Sequence, residues 1–189
     1  MSRLLRLSVA ALVYVGTIVA ANWAIGHLGT PPKFPGAPHT IPVWPGVTAP
    51  SGVLFIAAAL VLRDLVQWLM GRRAGQAPTP DQAALMILLV GVGAVVSYDV
   101  AAPKLATASA LAFGFSELLD FGLFTWIAPR WARAVLVGGI AGAVVDSVIF
   151  LSVAFGSFKF LPGQILGKAY GVTLAALVIA VRRRRVAMA

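Results

Sequence analysis

The sequence predicts an all-α integral membrane protein, a bundle of six transmembrane helices in a single domain. Of its 189 residues, 60% are hydrophobic and 11% are charged, so the chain is far more apolar than a soluble domain. The apolar residues form six runs, each close to the ~20 residues that a helix needs to cross ~30 Å of hydrocarbon. No run alternates with the period of two that is typical of barrel strands, so the spans are helices.

The predicted spans cover residues 4–26, 51–70, 83–100, 105–127, 134–155 and 161–181. The first run follows a short basic segment, but it is longer than the ~7 to 15 residues of a signal-peptide core, so we keep it as a span. In the fifth run Gly138 and Gly142 form a small-xxx-small step that lets a neighbouring helix pack closely.

The longest connection, residues 29–50, is rich in proline. Proline forbids a regular helix there and favours extended and turn conformations. Its Trp44 is compatible with two interpretations: a lid over an outward opening, or a linker packed at the membrane interface.

Basic residues outside the spans or close to their ends predict the orientation. One side collects ten of them: Arg3, Arg6, Arg72, Arg73, Arg130, Arg133 and residues 182–185. The other side has three: Lys33, Lys104 and Lys159. Because positive loops stay inside, both termini are predicted to be cytoplasmic.

The net charge of +9 lies at segment ends facing lipid headgroups and forms no extended basic face, so we expect no nucleic-acid partner.

Six ionisable residues lie inside the spans, away from the span ends: Arg63, Asp64, Glu117, Asp120, Asp146 and Lys168. Each costs at least ~2.5 to 3.5 kcal/mol at mid-depth, so it must face the bundle interior, pair with another residue or meet water. For Arg63 and Lys168 an alternative is that the long side chain extends to the interface. Arg63 and Asp64 can also form a purely structural ion pair.

The candidate ligand-binding residues combine carboxylates with aromatic rings. Glu117 and Asp120 are three residues apart on one helical face, close to Phe113. Asp146 shares a face with Phe150. Such a lining suits a flat heteroaromatic ligand. The carboxylates would accept hydrogen bonds from its N–H groups, and the rings would cover its faces.

Other spans add further candidates. Gln164 and Lys168 are one turn apart on the sixth span, and Asn22, a weaker candidate, lies on the first. The six ionisable residues comprise four acids and two bases. A formal charge of minus two is unfavourable in a low dielectric, so we expect either protonated carboxylates or a cationic ligand.

Catalytic chemistry is not indicated. The chain has no cysteine, and its two histidines, His27 and His39, flank or occupy the outer loop. It has no zinc-protease motif and no Walker glycine loop, so we expect no enzyme activity, cofactor or metal site, and any ATP dependence would need a partner. An intramembrane aspartyl hydrolase, built on Asp120 and Asp146, remains a less favoured alternative.

Four strings carry a resemblance to a known family: RDLVQWLMG (residues 63–71), ASALAFGFSELLDFGLFT (108–125), DSVIFLSVAFGS (146–157) and GQILGK (163–168). In this order they resemble the queuosine precursor transporters, also called the VUT or vitamin uptake transporter family. The resemblance implies a six-helix importer of the bacterial inner membrane, similar in fold to the substrate-binding components of energy-coupling-factor transporters. Its substrates would be 7-cyano-7-deazaguanine and 7-aminomethyl-7-deazaguanine.

By position, the resemblance implies a set of substrate-binding residues: Glu117, Asp120, Asp146, Gln164 and Lys168. It places Arg63, Asp64 and Gln67 toward the inner gate. A guanine-like edge offers N–H groups to a carboxylate and a carbonyl to Gln164 or Lys168. Two points stay open: whether the chain forms a homo-oligomer, and whether it is instead the substrate-binding subunit of an ATP-driven transporter, docking its partner through residues 9–21.

Overall fold

The computed structural model describes residues 2–71, 78–127 and 131–187, leaving aside the side chains of residues 117, 120–127, 131–135 and 178–187. This part of the chain is mostly helical. Its six helices are α1 (Arg3–His27), α2 (Val53–Leu69), α3 (Pro80–Val100), α4 (Pro103–Ile127), α5 (Trp131–Phe155) and α6 (Leu161–Ala187). Two strands, β1 (Thr40–Trp44) and β2 (Val47–Pro50), lie between α1 and α2.

Three helical segments are long and apolar enough to cross a membrane, judged by length and composition within the described residues. They are Arg3–His27, Pro80–Val100 and Leu136–Phe155. α2 is shorter, with 17 residues. At a rise of ~1.5 Å per residue it is about 26 Å long, at the lower limit for a span. The predicted class, an all-α membrane protein, agrees with this architecture.

Helix α3 begins directly after a capping residue and before the apolar run of the predicted span. Thr79 is the N-cap: its side chain accepts from the Gln82 backbone N–H, and the Gln82 side chain accepts from the Thr79 backbone N–H. Pro80 occupies the first helical position, where its missing N–H is harmless. The helix therefore begins three residues before the predicted position 83.

The Pro-rich connection contains a hairpin that the sequence analysis did not predict. β1 and β2 pair antiparallel, with Ile41 opposite Ala49 and Pro42 opposite Thr48. The pairing becomes irregular between Pro42 and Trp44, close to a turn at Gly46, whose φ is +76°. Proline lacks an N–H donor and is tolerated in edge strands, and both strands of this sheet are edge strands, with Thr30 forming an isolated bridge to Thr40 of β1.

The hairpin is attached to the end of the bundle where α1 ends and α6 begins. His39 N–H donates to the Ile25 carbonyl at 2.9 Å, and the Ser51 hydroxyl donates to the Ala24 carbonyl at 2.6 Å. On the other side, the Tyr170 hydroxyl donates to the Val43 carbonyl at 3.1 Å. The charge pattern of the sequence predicts that this end faces outward, and this orientation stays a prediction.

Helix α6 approaches its neighbours through three glycines spaced four residues apart: Gly163, Gly167 and Gly171. Gly163 lies against the Thr48 carbonyl of β2. A Cβ on Gly167 would lie 2.8 Å from Val53 Cγ2, and one on Gly171 would lie 2.7 Å from Ala57 Cβ, both on α2. The small residues let the backbones of α6 and α2 approach closely, which is how helices without a hydrophobic driving force pack in lipid.

Helix α1 uses its small residues for packing inside the bundle. It packs against α2 and α3, and Ala10 and Ala21 are buried in those contacts. Its exposed face carries larger side chains such as Leu5 and Leu12. The alanines between residues 9 and 21 that suggested a docking patch for a partner are thus partly used by the chain itself.

Candidate ligand site between the helices

A buried ion pair joins α5 to α6. Lys168 is 1% exposed, and its ammonium group donates to Asp146 Oδ2 and, at 2.8 Å, to the Ser147 hydroxyl. The Ser147 hydroxyl donates in turn to the Ala143 carbonyl at 2.6 Å. The alternative in which Lys168 extends to the membrane interface is therefore wrong, because two acceptors inside the bundle hold its ammonium group.

Gln164 lies one turn before Lys168 on the same face of α6, and its side chain is 2% exposed. Among the described residues, no donor lies within hydrogen-bond distance of its side-chain oxygen. A buried acceptor without a donor costs about 1 to 3 kcal/mol. The Gln164 oxygen is therefore a point at which an N–H or O–H group from a ligand or water would stabilise the protein.

These side chains border one cavity. The wall includes Asn22 from α1, Ser109 and Phe113 from α4, Asp146 and Phe150 from α5, and Gln164 and Lys168 from α6. The cavity volume is about 10 Å³, which is room for about one water molecule. A ligand the size of a purine base needs much more space, so it can bind only when the helices around the cavity move apart.

The two aromatic rings of the wall are held by other aromatic rings. Phe113 meets Tyr14 edge-on, with ring centroids 6.4 Å apart, and Phe150 meets Phe155 edge-on at 5.8 Å. Edge-to-face pairs of this kind are favourable and fix the ring orientation. The prediction that the two phenyl faces cover a flat ligand stays a prediction.

Asn22 is committed to hydrogen bonds that connect three helices. Its Nδ2 donates to the Ser97 hydroxyl on α3 at 3.0 Å, and its Oδ1 accepts from the Ser109 hydroxyl on α4 at 2.7 Å. Asn22 is a predicted substrate contact, and the structure adds this connecting role at the cavity wall. The sequence did not indicate Ser97 and Ser109 as partners of Asn22, because serine is common in membrane helices and spacing along one helix does not reveal contacts between helices.

A second ion pair lies on α2, about one and a half turns before the helix ends at Leu69, away from the hairpin. Arg63 Nε and Nη2 each donate to Asp64 Oδ1 at 3.1 Å. Arg63 is fully buried, and its Nη1 lies 3.8 Å from where a Cβ on Gly142 of α5 would be. The alternative in which Arg63 reaches the interface is therefore wrong, because its guanidinium turns inward toward α5.

The structure does not bring the predicted gate residues to the cavity. Arg63, Asp64 and Gln67 are all buried, but none of them is among the described residues of the cavity wall. Their role as a gate stays a prediction.

The remaining predicted acids lie on α4. Glu117 and Asp120 are in this helix, three residues apart, but their side chains lie outside the described residues. Their predicted contact with a ligand therefore stays a prediction. Among the described side chains, Arg63 forms an ion pair with Asp64, and Lys168 forms one with Asp146. The formal charge of minus two rests on Glu117 and Asp120, so the expectation of protonated carboxylates or a cationic ligand stays a prediction.

No family model, curated protein or solved structure matches this chain. The resemblance to queuosine precursor transporters rests on the four sequence strings alone, and it enters the function only as a proposal.

Proposed function

We propose that this chain is a six-span importer of the bacterial inner membrane that carries a 7-deazaguanine precursor of queuosine between its helices. The observation that carries the proposal is a cluster of buried polar groups around a cavity in an otherwise apolar bundle: Asp146, Lys168 and Gln164. Ionisable and hydrogen-bonding groups are expensive at membrane depth, and a ligand pathway is the usual reason for their presence.

Six spans are supported by the lengths of the helices. Three segments meet the length and composition of a span, and α4 and α6 have 25 and 27 residues. With both termini in the cytoplasm, the hairpin and Phe158, which follows α5, would lie outside. Alkaline phosphatase fused after residue 158 should be active, and the same enzyme fused after residue 187 should be inactive. The reverse pattern would contradict this orientation.

The chemistry of the wall supports a nitrogen heterocycle. The Gln164 oxygen needs a donor, which a ring N–H or an exocyclic amino group supplies. Lys168 can donate to a ring carbonyl. Phe113 and Phe150 provide apolar surface at the same cavity. A small number of polar groups within an apolar wall is the composition of most small-molecule sites.

Transport fits the narrowness of the cavity. Because the cavity in this conformation has room for about one water, a ligand requires the helices around it, α1, α2, α4, α5 and α6, to separate. The cavity lies near the end of the bundle to which the hairpin is attached, so we infer that separation at that end admits the ligand. The Arg63–Asp64 pair, nearer the other end, is then a candidate for the inner gate.

Uptake of labelled precursor by cells that lack their own importer tests the proposal. Asp146→Asn and Glu117→Gln should each abolish uptake at unchanged membrane abundance. Asp99→Asn is the matched control, because Asp99 is exposed at the end of α3 and the chemical change is the same. Undiminished uptake in both variants would refute the assignment of the site.

A further inference from the structure

The hairpin of β1 and β2 lies beside α6, well below the first residue of that helix. A Cβ on Gly167 would lie 3.5 Å from Val43 Cγ1, and the Tyr170 hydroxyl donates to the Val43 carbonyl. Gly167 and Tyr170 follow Leu161, where α6 begins, by six and nine positions. At ~1.5 Å per residue, these positions are about 9 and 14 Å down the helix. The predicted sixth span also begins at Leu161, so Val43 is level with the nearer half of the hydrocarbon, which is about 15 Å thick.

The hairpin packs on the side of α6 that is turned away from the cavity. Lys168 lines the cavity, and Tyr170 follows it by two positions. At 3.6 residues per turn, two positions are about 200° apart around the helix, so Tyr170 lies on nearly the opposite face. Tyr170 is 42% exposed, as expected for the outer surface of the bundle. This placement favours a hairpin against lipid over a hairpin above the cavity.

The side chains of the hairpin and its flanks suit lipid better than water. No Asp, Glu, Lys or Arg occurs from Phe34 to Leu62. Trp44, next to the turn of the hairpin, is 60% exposed, and Phe34 is 71% exposed. Tryptophan is enriched where lipid headgroups meet acyl chains, because its ring is apolar and its N–H is polar. Exposed aromatic rings on a segment without these charged residues are the composition of a surface that contacts lipid.

The backbone of the hairpin is suited to a layer that holds little water. An N–H or C=O group without a partner is costly in lipid. Pro42, Pro45 and Pro50 have no N–H to satisfy. The Val43 carbonyl has a donor in Tyr170, on the outer surface of α6. Proline, which forbids a helix in this connection, therefore also lowers the cost of placing the connection in the membrane.

We propose that the hairpin is inserted into the leaflet on its side of the membrane, against the lipid-facing surface of α6, with the Trp44 ring between the headgroups and the upper acyl chains. The partner of this surface is the lipid of that leaflet, which is the outer leaflet in the orientation proposed above. The inference requires α6 to span the membrane, but it does not depend on the ligand or on transport.

Single cysteines test this insertion, because the chain has no cysteine of its own. Trp44→Cys and Lys159→Cys are labelled in liposomes with a maleimide that does not cross membranes. Lys159 is the matched control, because it is exposed and lies just before α6, at the same end of the bundle. Trp44→Cys should react at least about tenfold more slowly, since the reactive thiolate is disfavoured in apolar surroundings.

The exposure of both positions in the protein itself means that lipid is the cause of any protection of Trp44→Cys. The two rates should become equal after unfolding in SDS. Equal rates in the liposomes would overturn the insertion. Failure of the chain to take up any precursor would overturn the importer proposal and leave this result unchanged.

Tryptophan fluorescence is the second measurement, because Trp44→Cys removes the ring that holds the hairpin in lipid. The emission of Trp44 is the difference between the parent and Trp44→Phe proteins in liposomes. Lipids brominated near the upper end of the acyl chain should quench this emission strongly, and iodide in the water should quench it weakly. Strong quenching by iodide without quenching by the brominated lipids would overturn the insertion.

Discussion

Replacing Lys168 with methionine should strongly destabilise the bundle. The side chain keeps most of its length but loses the ammonium that donates to Asp146 and Ser147. Asp146 is 3% exposed, so its carboxylate would remain buried without this partner. Breaking a buried ion pair by removing one member typically costs about 3 to 5 kcal/mol. At 2 to 4 °C per kcal/mol for a chain of this size, a loss of about 3 kcal/mol lowers Tm by roughly 6 to 12 °C.

Thermal unfolding followed by circular dichroism in detergent measures this effect. Lys104→Met is the matched control, because Lys104 is exposed near the start of α4, and its Tm should stay within about 1 °C of the parent, since surface changes have small effects. Ser147→Ala should cost about 1 kcal/mol, the typical contribution of one hydrogen bond.

The double variant Asp146→Leu with Lys168→Met separates the charge from the packing. Replacing both members of a buried pair by apolar residues is often neutral, so the double variant should recover most of the Tm lost in Lys168→Met. A Lys168→Met protein as stable as the parent, or a double variant as unstable as the single one, would refute the reasoning.

Two further predictions concern packing and access. Gly171→Leu should sharply lower the amount of folded protein in the membrane, because even its Cβ would lie 2.7 Å from Ala57 Cβ. Gly91→Leu should be tolerated, because no atom lies within 4 Å of its Cβ position. Equal amounts of the two variants by immunoblot would contradict the close contact. Because the chain has no cysteine, a single cysteine replacing Phe158, which is 52% exposed, should react with an impermeant maleimide at least about tenfold faster than one replacing the 2% exposed Gln164. Equal rates would show that the Gln164 position is open to solvent.

The sequence predicted the helices well because apolar length is a property of each segment by itself. Helix α3 starts earlier than predicted because a capping box and a proline, both polar or neutral in hydropathy, extend a helix beyond its apolar run. The hairpin at residues 40–50 was not predicted, because prolines obscure strand periodicity and its pairing is supported by contacts with α6.

Predicting the contacts inside the bundle requires information that the spacing along one helix does not contain. Depth along the spans placed Asp146 and Lys168 among the interior groups, but their pairing depends on how α5 and α6 rotate against each other. The same holds for Asn22, whose partners come from two other helices. Gly163, Gly167 and Gly171 were visible as a four-residue repeat, and a search for small residues at that spacing would have found the close approach of α6 to α2.

Uptake into liposomes tests the central claim, that the buried cluster of Asp146, Lys168 and Gln164 carries a heterocycle across the membrane. Purified protein reconstituted without any partner should accumulate radiolabelled 7-cyano-7-deazaguanine above protein-free liposomes, Asp99→Asn should do the same, and Asp146→Asn should not. Uptake by Asp146→Asn equal to that of the parent, or no uptake by the parent chain, would contradict the account.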